Sequence, residues 1–252
     1  MMLAVTMAGC LAVGLLIGWS GVAGFLLPIL FVNYCRLDTA QALALSFLCF
    51  ALSGIISSVN YRRKGQLDFR TALPLSAGSL LGAAVGAAVN RLLPTDMVKL
   101  LLYWVVLLSG VSILVRQWLA RRGGRKAGQV ADKLPGSMSL GALGLAAGAL
   151  CALSGAGGPV VVMPLLVALG LPAKQAVGAA LFDSIFIALP ALCVYGSQGG
   201  FAGLGLFALL CAAAHGAGVT VGSATSQMVP QEGLKWGVAV FSVCFALYML
   251  IF

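Results

Sequence analysis

Charge is what this sequence has least of. Asp, Glu, Lys and Arg make up 8% of its 252 residues, against about 25% in a soluble domain. So few charges cannot give a folded domain a polar surface, which excludes a soluble globular protein. Histidine occurs once, and the seven cysteines (Cys10, Cys35, Cys49, Cys151, Cys193, Cys211, Cys244) form no CxxC pair and no metal-ligand spacing. No metal site, cofactor site or disulfide framework is expected from them; in apolar runs, free cysteine behaves as a small hydrophobe. The N-terminal stretch MMLAVTMAGCLAVGLLIGWSG lacks the positive n-region of a secretory signal. It reads as a first membrane segment, retained in the mature protein.

Apolar residues are what the sequence has instead: 61% of the chain is hydrophobic, with mean hydropathy +1.07. Runs long enough for a bilayer, about 20 residues each, lie at roughly 2–34, 37–60, 67–90, 97–119, 137–171, 173–196, 199–229 and 234–252. The expected fold is an all-α polytopic integral membrane protein with about eight membrane runs, embedded in the lipid bilayer. The net charge of +9 is concentrated: residues 61–70 and 116–133 hold ten of the fifteen Lys and Arg. Basic residues crowd cytoplasmic loops, so this charge sets topology and gives no reason to expect nucleic acid.

The polar stretch RRGGRKAGQVADKLPG (121–136) divides the chain near its middle. A shift of 136 residues superposes Gly21 on Gly157, Pro28 on Pro164, Ala40 on Ala176, Gly82 on Gly218, Gly86 on Gly222, Pro94 on Pro230 and Lys99 on Lys235. The expected organisation is therefore two homologous four-run repeats, 1–118 and 137–252, joined by a basic cytosolic linker at 119–136. Gly78, Gly82 and Gly86, like Gly218 and Gly222, recur every four residues, a spacing that lets helices approach closely in lipid.

The first run of each repeat is too long. Thirty-odd residues would make a helix of about 50 Å against a hydrocarbon core of about 30 Å. Helix breakers sit where the excess lies, in GWSGVAGFLLPILF (18–31) and LSGAGGPVVVMPLL (153–166). Eight full spans give parallel repeats, with ten basic residues facing five. Two crossings per broken run invert the repeats and give twelve against three. Charge favours inversion; the shortness of the half-segments favours eight spans.

Non-helical backbone at membrane depth is tolerated only where protein buries it or it lines a cavity. Paired breaks of this kind build the midplane sites of secondary transporters, where half-helix N-termini favour anions. The candidate substrate-binding residues are Ser20, Gly21, Gly24 and Pro28 in the first break, with Ser154, Gly155, Gly157, Gly158, Pro159 and Pro164 in the second. Glycine admits close approach of backbone to ligand, and Pro159 fits a first helical turn. Ser20 and Ser154 each precede a glycine, although they are 134 residues apart rather than 136.

SGVAGFLLPIL with DTAQALALS, and SGAGGPVVVMPLL with PAKQAVGAAL, resemble the repeated motifs of the TauE/SafE family of sulfite and organosulfonate exporters. The first half departs from that pattern at Val22 and Ala23, which replace glycines. Leu43, Ala44, Ala179 and Ala180 stand where the family often carries hydroxyl residues. The resemblance implies a permease of the cytoplasmic (inner) membrane of a prokaryote. Its substrate would be a small sulfur oxyanion, a sulfonate or a related small anion, usually moved outward.

Two polar groups inside the membrane runs are candidates for proton coupling. Asp183 is the one carboxylate well inside an apolar run, and such residues face the protein interior or a wet cavity. His215 lies in AAAHGAG and has a side chain suited to proton exchange. Asp183 is also readable as a hydrogen-bonded group beside Ser184, and a lone histidine on an apolar face is more often structural. A passive anion channel is the first alternative. The second is an intramembrane serine hydrolase using Ser154 and His215, similar to rhomboid proteases but lacking the first glycine of their GxSG motif. A non-enzyme is expected, and a homodimer is compatible with the sequence.

Overall fold

A computed structural model describes residues 2–21, 23–122 and 136–228, together with 236, 240, 243, 244 and 247. Most of the expected linker, Val22, and nearly all of the run at 234–252, with Pro230 and Lys235, lie outside the described residues. Those described are helical, without strands. In chain order they form α1 (Met2–Ser20), α2 (Ala23–Tyr34), α3 (Thr39–Arg63), α4 (Phe69–Asn90), α5 (Thr95–Arg122), α6 (Ser137–Ser154), α7 (Gly158–Ala168), α8 (Ala173–Tyr195) and α9 (Gly205–Thr225). Six of these stretches are long and apolar enough to cross a membrane: α1, α3, α4, α6, α9 and Ala173–Gly200. The short α2 is irregular, passing from a 3-10 turn through one α turn to a π stretch at Leu30–Tyr34.

Local chemistry sets the ends. Asp68 caps α4, accepting from the Arg70 amide at 3.1 Å and the Thr71 hydroxyl at 2.9 Å. α6 stops at Gly155, which adopts φ +74° and donates its amide to Cys151 O at 2.8 Å. Gly157 follows at φ +82° and ψ 144°, a region open essentially to glycine. Pro159 then sits in the first turn of α7, where its missing N–H costs nothing. The other prolines behave differently from expectation. Pro28 and Pro164 lie inside short helices rather than starting them.

Close-packed seams fix the direction of each helix. A Cβ on Gly82 would run into Leu145 O, and one on Gly86 into Ala149 O, so α4 and α6 lie parallel. Gly218 meets Leu11 O and Gly222 meets Leu15 O, which makes α1 and α9 parallel in the same way. α3 also runs with α9, since Ser53 meets His215 at 2.6 Å and Asn60 donates to Ser223 at 2.7 Å. α3 and α8 run oppositely. Gly178, near the start of α8, lies against Gln66 just past the end of α3, and Tyr195 stacks on Phe47 at 5.7 Å.

Thus α1, α3 and α9 point one way, and α4, α6 and α8 the other. α1 and α3 are successive long helices with the same direction, so residues 21–38 must carry the chain back between them. Residues 155–172 do the same between α6 and α8. Each first run therefore passes along the bundle and turns back.

Candidate functional site

The return segments begin where the chain breaks, and the two breaks meet. A Cβ on Gly24 would stand 3.1 Å from Phe50 Cε1 and 3.5 Å from Ala156 O. One on Gly157 would stand 3.0 Å from the same ring, at Cζ. Gly158 packs on α8, where its Cβ would lie 3.3 Å from Ser184 Cα and 2.9 Å from Ile187 Cδ1. Phe50 and Ser184 lie halfway along α3 and α8, so this junction sits at mid-depth of the bundle. Ser184 ties the two central helices: its hydroxyl lies 2.6 Å from Leu181 O and 3.4 Å from Phe50 O, and its single proton serves one at a time.

Of the residues singled out in the sequence, Gly24, Gly157 and Gly158 come together here. Gly21, at φ +70°, turns the chain beyond α1 and lies against Val177. Gly155 is pressed onto Leu43. Ser20 and Ser154 end helices of opposite direction, and both bond backwards, to Leu16 O and Leu150 O at 2.8 Å. Ser154 Oγ also accepts from the Ala156 amide at 3.4 Å. These hydroxyls shape the ends of their helices. Phe50, Ala156 and Ser184 belong to the junction and carry no motif that would have revealed them.

A cleft of about 430 Å³ opens on the side where α4 ends and α3 begins, lined in part by Asp38, Thr39, Asn90, Arg91 and Gln198. Arg91 is held at its rim by Ser197 Oγ at 2.6 Å and Val194 O at 3.1 Å. Asn90 donates to Leu153 O at 2.7 Å, beside the second break. The cleft thus adjoins the end of α6. The basic cluster Arg62, Arg63 and Lys64 lies at the opposite end of α3.

Asp183 and His215 occupy separate places. Asp183 is fully buried and accepts from Ser79 on α4 at 3.0 Å. His215 is fully buried between Ser53 on α3 at 2.6 Å and Cys10 O on α1 at 3.2 Å. Both of its ring nitrogens are thereby engaged. Since the partners of Ser154 are Leu150 and Ala156, the hydrolase reading gains no nucleophile–base pair. Among the described residues no cluster of His, Cys, Asp or Glu has the make-up of a metal site.

Several apolar helices with paired interruptions at mid-depth define a multi-pass membrane protein of the transporter type. The family profile described as Sulfite exporter TauE/SafE matches residues 3–249. The chain belongs to that family. Comparisons with curated proteins and with solved structures return no match.

Proposed function

We propose that this protein is a secondary transporter that exports a small sulfur oxyanion, sulfite or an organosulfonate, by alternating access. It does so in the cytoplasmic membrane of a prokaryote. The observation that carries the reading is the meeting of the two breaks, at Gly24 and Ala156–Gly158, halfway along α3 and α8. A half-helix start presents amide donors and positive dipole, which suit an oxyanion. The α7 start offers that chemistry to a substrate small enough for a backbone-walled site.

Residues 1–118 and 137–252 are on this reading inverted repeats, with 119–136 as a cytosolic linker. Reciprocal packing supports it: α1 rests on α9 as α6 rests on α4. The contacts also follow the repeat. Leu11 and Leu145 are 134 apart while their partners Gly218 and Gly82 are 136 apart, so the first break is two residues shorter than the second. The basic cluster after α3 marks the cytoplasmic side, and the Arg91 cleft is then an outer vestibule that draws anions to the second break.

Proteoliposomes loaded with labelled sulfite test this. Efflux that organosulfonates compete for, and that follows an imposed cation gradient, is the expected outcome. Sulfite flux indifferent to every gradient would make the protein a passive channel, and no flux with sulfite, sulfonates, thiosulfate or small carboxylates would overturn the reading.

A further inference from the structure

On the α4-facing side of α8, one residue from the junction, Asp183 stands among several oxygen atoms. Ser79 Oγ lies 3.0 Å from Asp183 Oδ2 and 3.1 Å from Gly144 O on α6. The Ser76 hydroxyl sits beside the same carboxyl. We propose that Asp183, Ser76, Ser79 and the Gly144 carbonyl form a sodium site that couples the cation to the anion at the junction; the coupling role rests on the transporter reading above.

Three observations point to a missing positive charge. First, the donors do not suffice. Ser79 has one proton for two acceptors, and neither Asp183 Oδ1 nor Ser76 Oγ makes a hydrogen bond that meets the usual distance and angle limits. Buried polar atoms are almost always satisfied. Secondly, Asp183 is fully buried, and no basic side chain among the described residues pairs with it. The facing groups are Ser76 and Ser79 from α4 and Cys151 from α6, none of them cationic. A buried carboxylate without a partner is costly. Thirdly, the groups within hydrogen-bond reach of Ser79 and Asp183 are oxygens, which suit a hard cation, and the single negative charge balances a monovalent one.

The other half shows what the same place looks like without a carboxylate. At the repeat offset His215 replaces Ser79, Phe47 replaces Asp183 and Ala212 replaces Ser76. There the imidazole Nδ1 meets Cys10 O at 3.2 Å, as Ser79 meets Gly144 O. The second station is filled by a side chain that brings its own donor. The first places small hydroxyls beside an acid.

The position explains the coupling. Ser184, the next residue, carries the start of α7 on its backbone. An ionised Asp183 without a cation repels an anion arriving at that start, whereas a sodium ion on Asp183 cancels the repulsion. Binding of the cation then favours binding of the anion, and the reverse.

The test is thermal unfolding of the purified full-length protein in detergent, with no anion substrate present. It compares NaCl, KCl and choline chloride at equal ionic strength. Ligands that bind only the folded state raise Tm in a saturable way. The expected result is a rise of a few degrees in NaCl over both other salts, absent in Asp183→Asn and reduced in Ser76→Ala. Equal Tm in the three salts overturns the site, as does a sodium shift that survives in Asp183→Asn. A Tm that depends on pH through Asp183 but not on sodium would assign the pocket to a proton and also overturn it. Because no anion takes part, the result stands apart from whether sulfite is transported.

Discussion

Gly157 and Phe50 are in direct contact at the centre of the bundle: a Cβ on the glycine would lie 3.0 Å from the ring carbon Cζ. The glycine also holds φ +82°, so any side chain there meets both strain and a wall. Gly157→Ala is expected to cost about 1–3 kcal/mol of stability from the backbone alone. Thermal unfolding checks the stability, and sulfite flux per folded molecule, expected to fall, checks the function.

The glycine seams give a sharper structural prediction. The atoms facing Gly82 and Gly218 are main-chain carbonyls of Leu145 and Leu11, which cannot move without shifting a helix. Gly82→Val and Gly218→Val should each destabilise the protein by about 1–3 kcal/mol or more, seen as lower yield of monodisperse protein and lower Tm. Gly65→Val is strained at φ +66° but meets nothing within 4 Å, so its cost should come from backbone alone and be smaller.

Helix direction predicts sidedness. Lys64 follows α3 and lies within electrostatic reach of Lys174 at the start of α8, while Arg36 precedes α3. In a background without the exposed thiols Cys193 and Cys244, Lys64→Cys and Lys174→Cys should react with an impermeant thiol reagent from one side. Arg36→Cys should react from the other. Labelling of Arg36→Cys and Lys174→Cys from the same side would restore parallel repeats.

Two tyrosines hold the ends of α1 and α6 in a similar way. Tyr61 donates to Gly18 O at 3.3 Å and Tyr195 to Ala152 O at 2.7 Å, each gripping the last turn of its own half's first helix. Tyr61→Phe and Tyr195→Phe should each lower stability by about 1 kcal/mol, measured by thermal unfolding, with the shorter bond of Tyr195 giving the larger effect.

Much of this architecture was legible in the sequence, for reasons that lie in particular residues. The excess length of the first runs, with Gly155, Gly157 and Pro159 inside the second, marked a break that backbone conformation requires. The four-residue glycine spacing marked seams that only glycine permits. The two-residue difference between the breaks was also present in the text, in Ser20 and Ser154 at 134, but a single ungapped shift hid it. Pro28 and Pro164 misled because a helix in lipid accommodates an internal proline when neighbours satisfy the freed carbonyl. Phe50, Ala156 and Ser184 could not be found, since an ordinary residue becomes part of a junction only through the directions of the helices around it. Asp183 stood out as a buried charge, but Ser76 and Ser79, from a helix over a hundred positions away, became its neighbours only in the fold.

The most direct test of a single substrate site built from both breaks is the KM for sulfite in proteoliposomes. It should be compared among the wild type, Gly24→Ala and Gly158→Ala. Each variant adds one methyl group to one side of the junction. A shared site predicts that both raise KM while the protein stays folded. Unchanged KM in both variants, or a rise in one alone, would contradict a site formed where the two breaks meet.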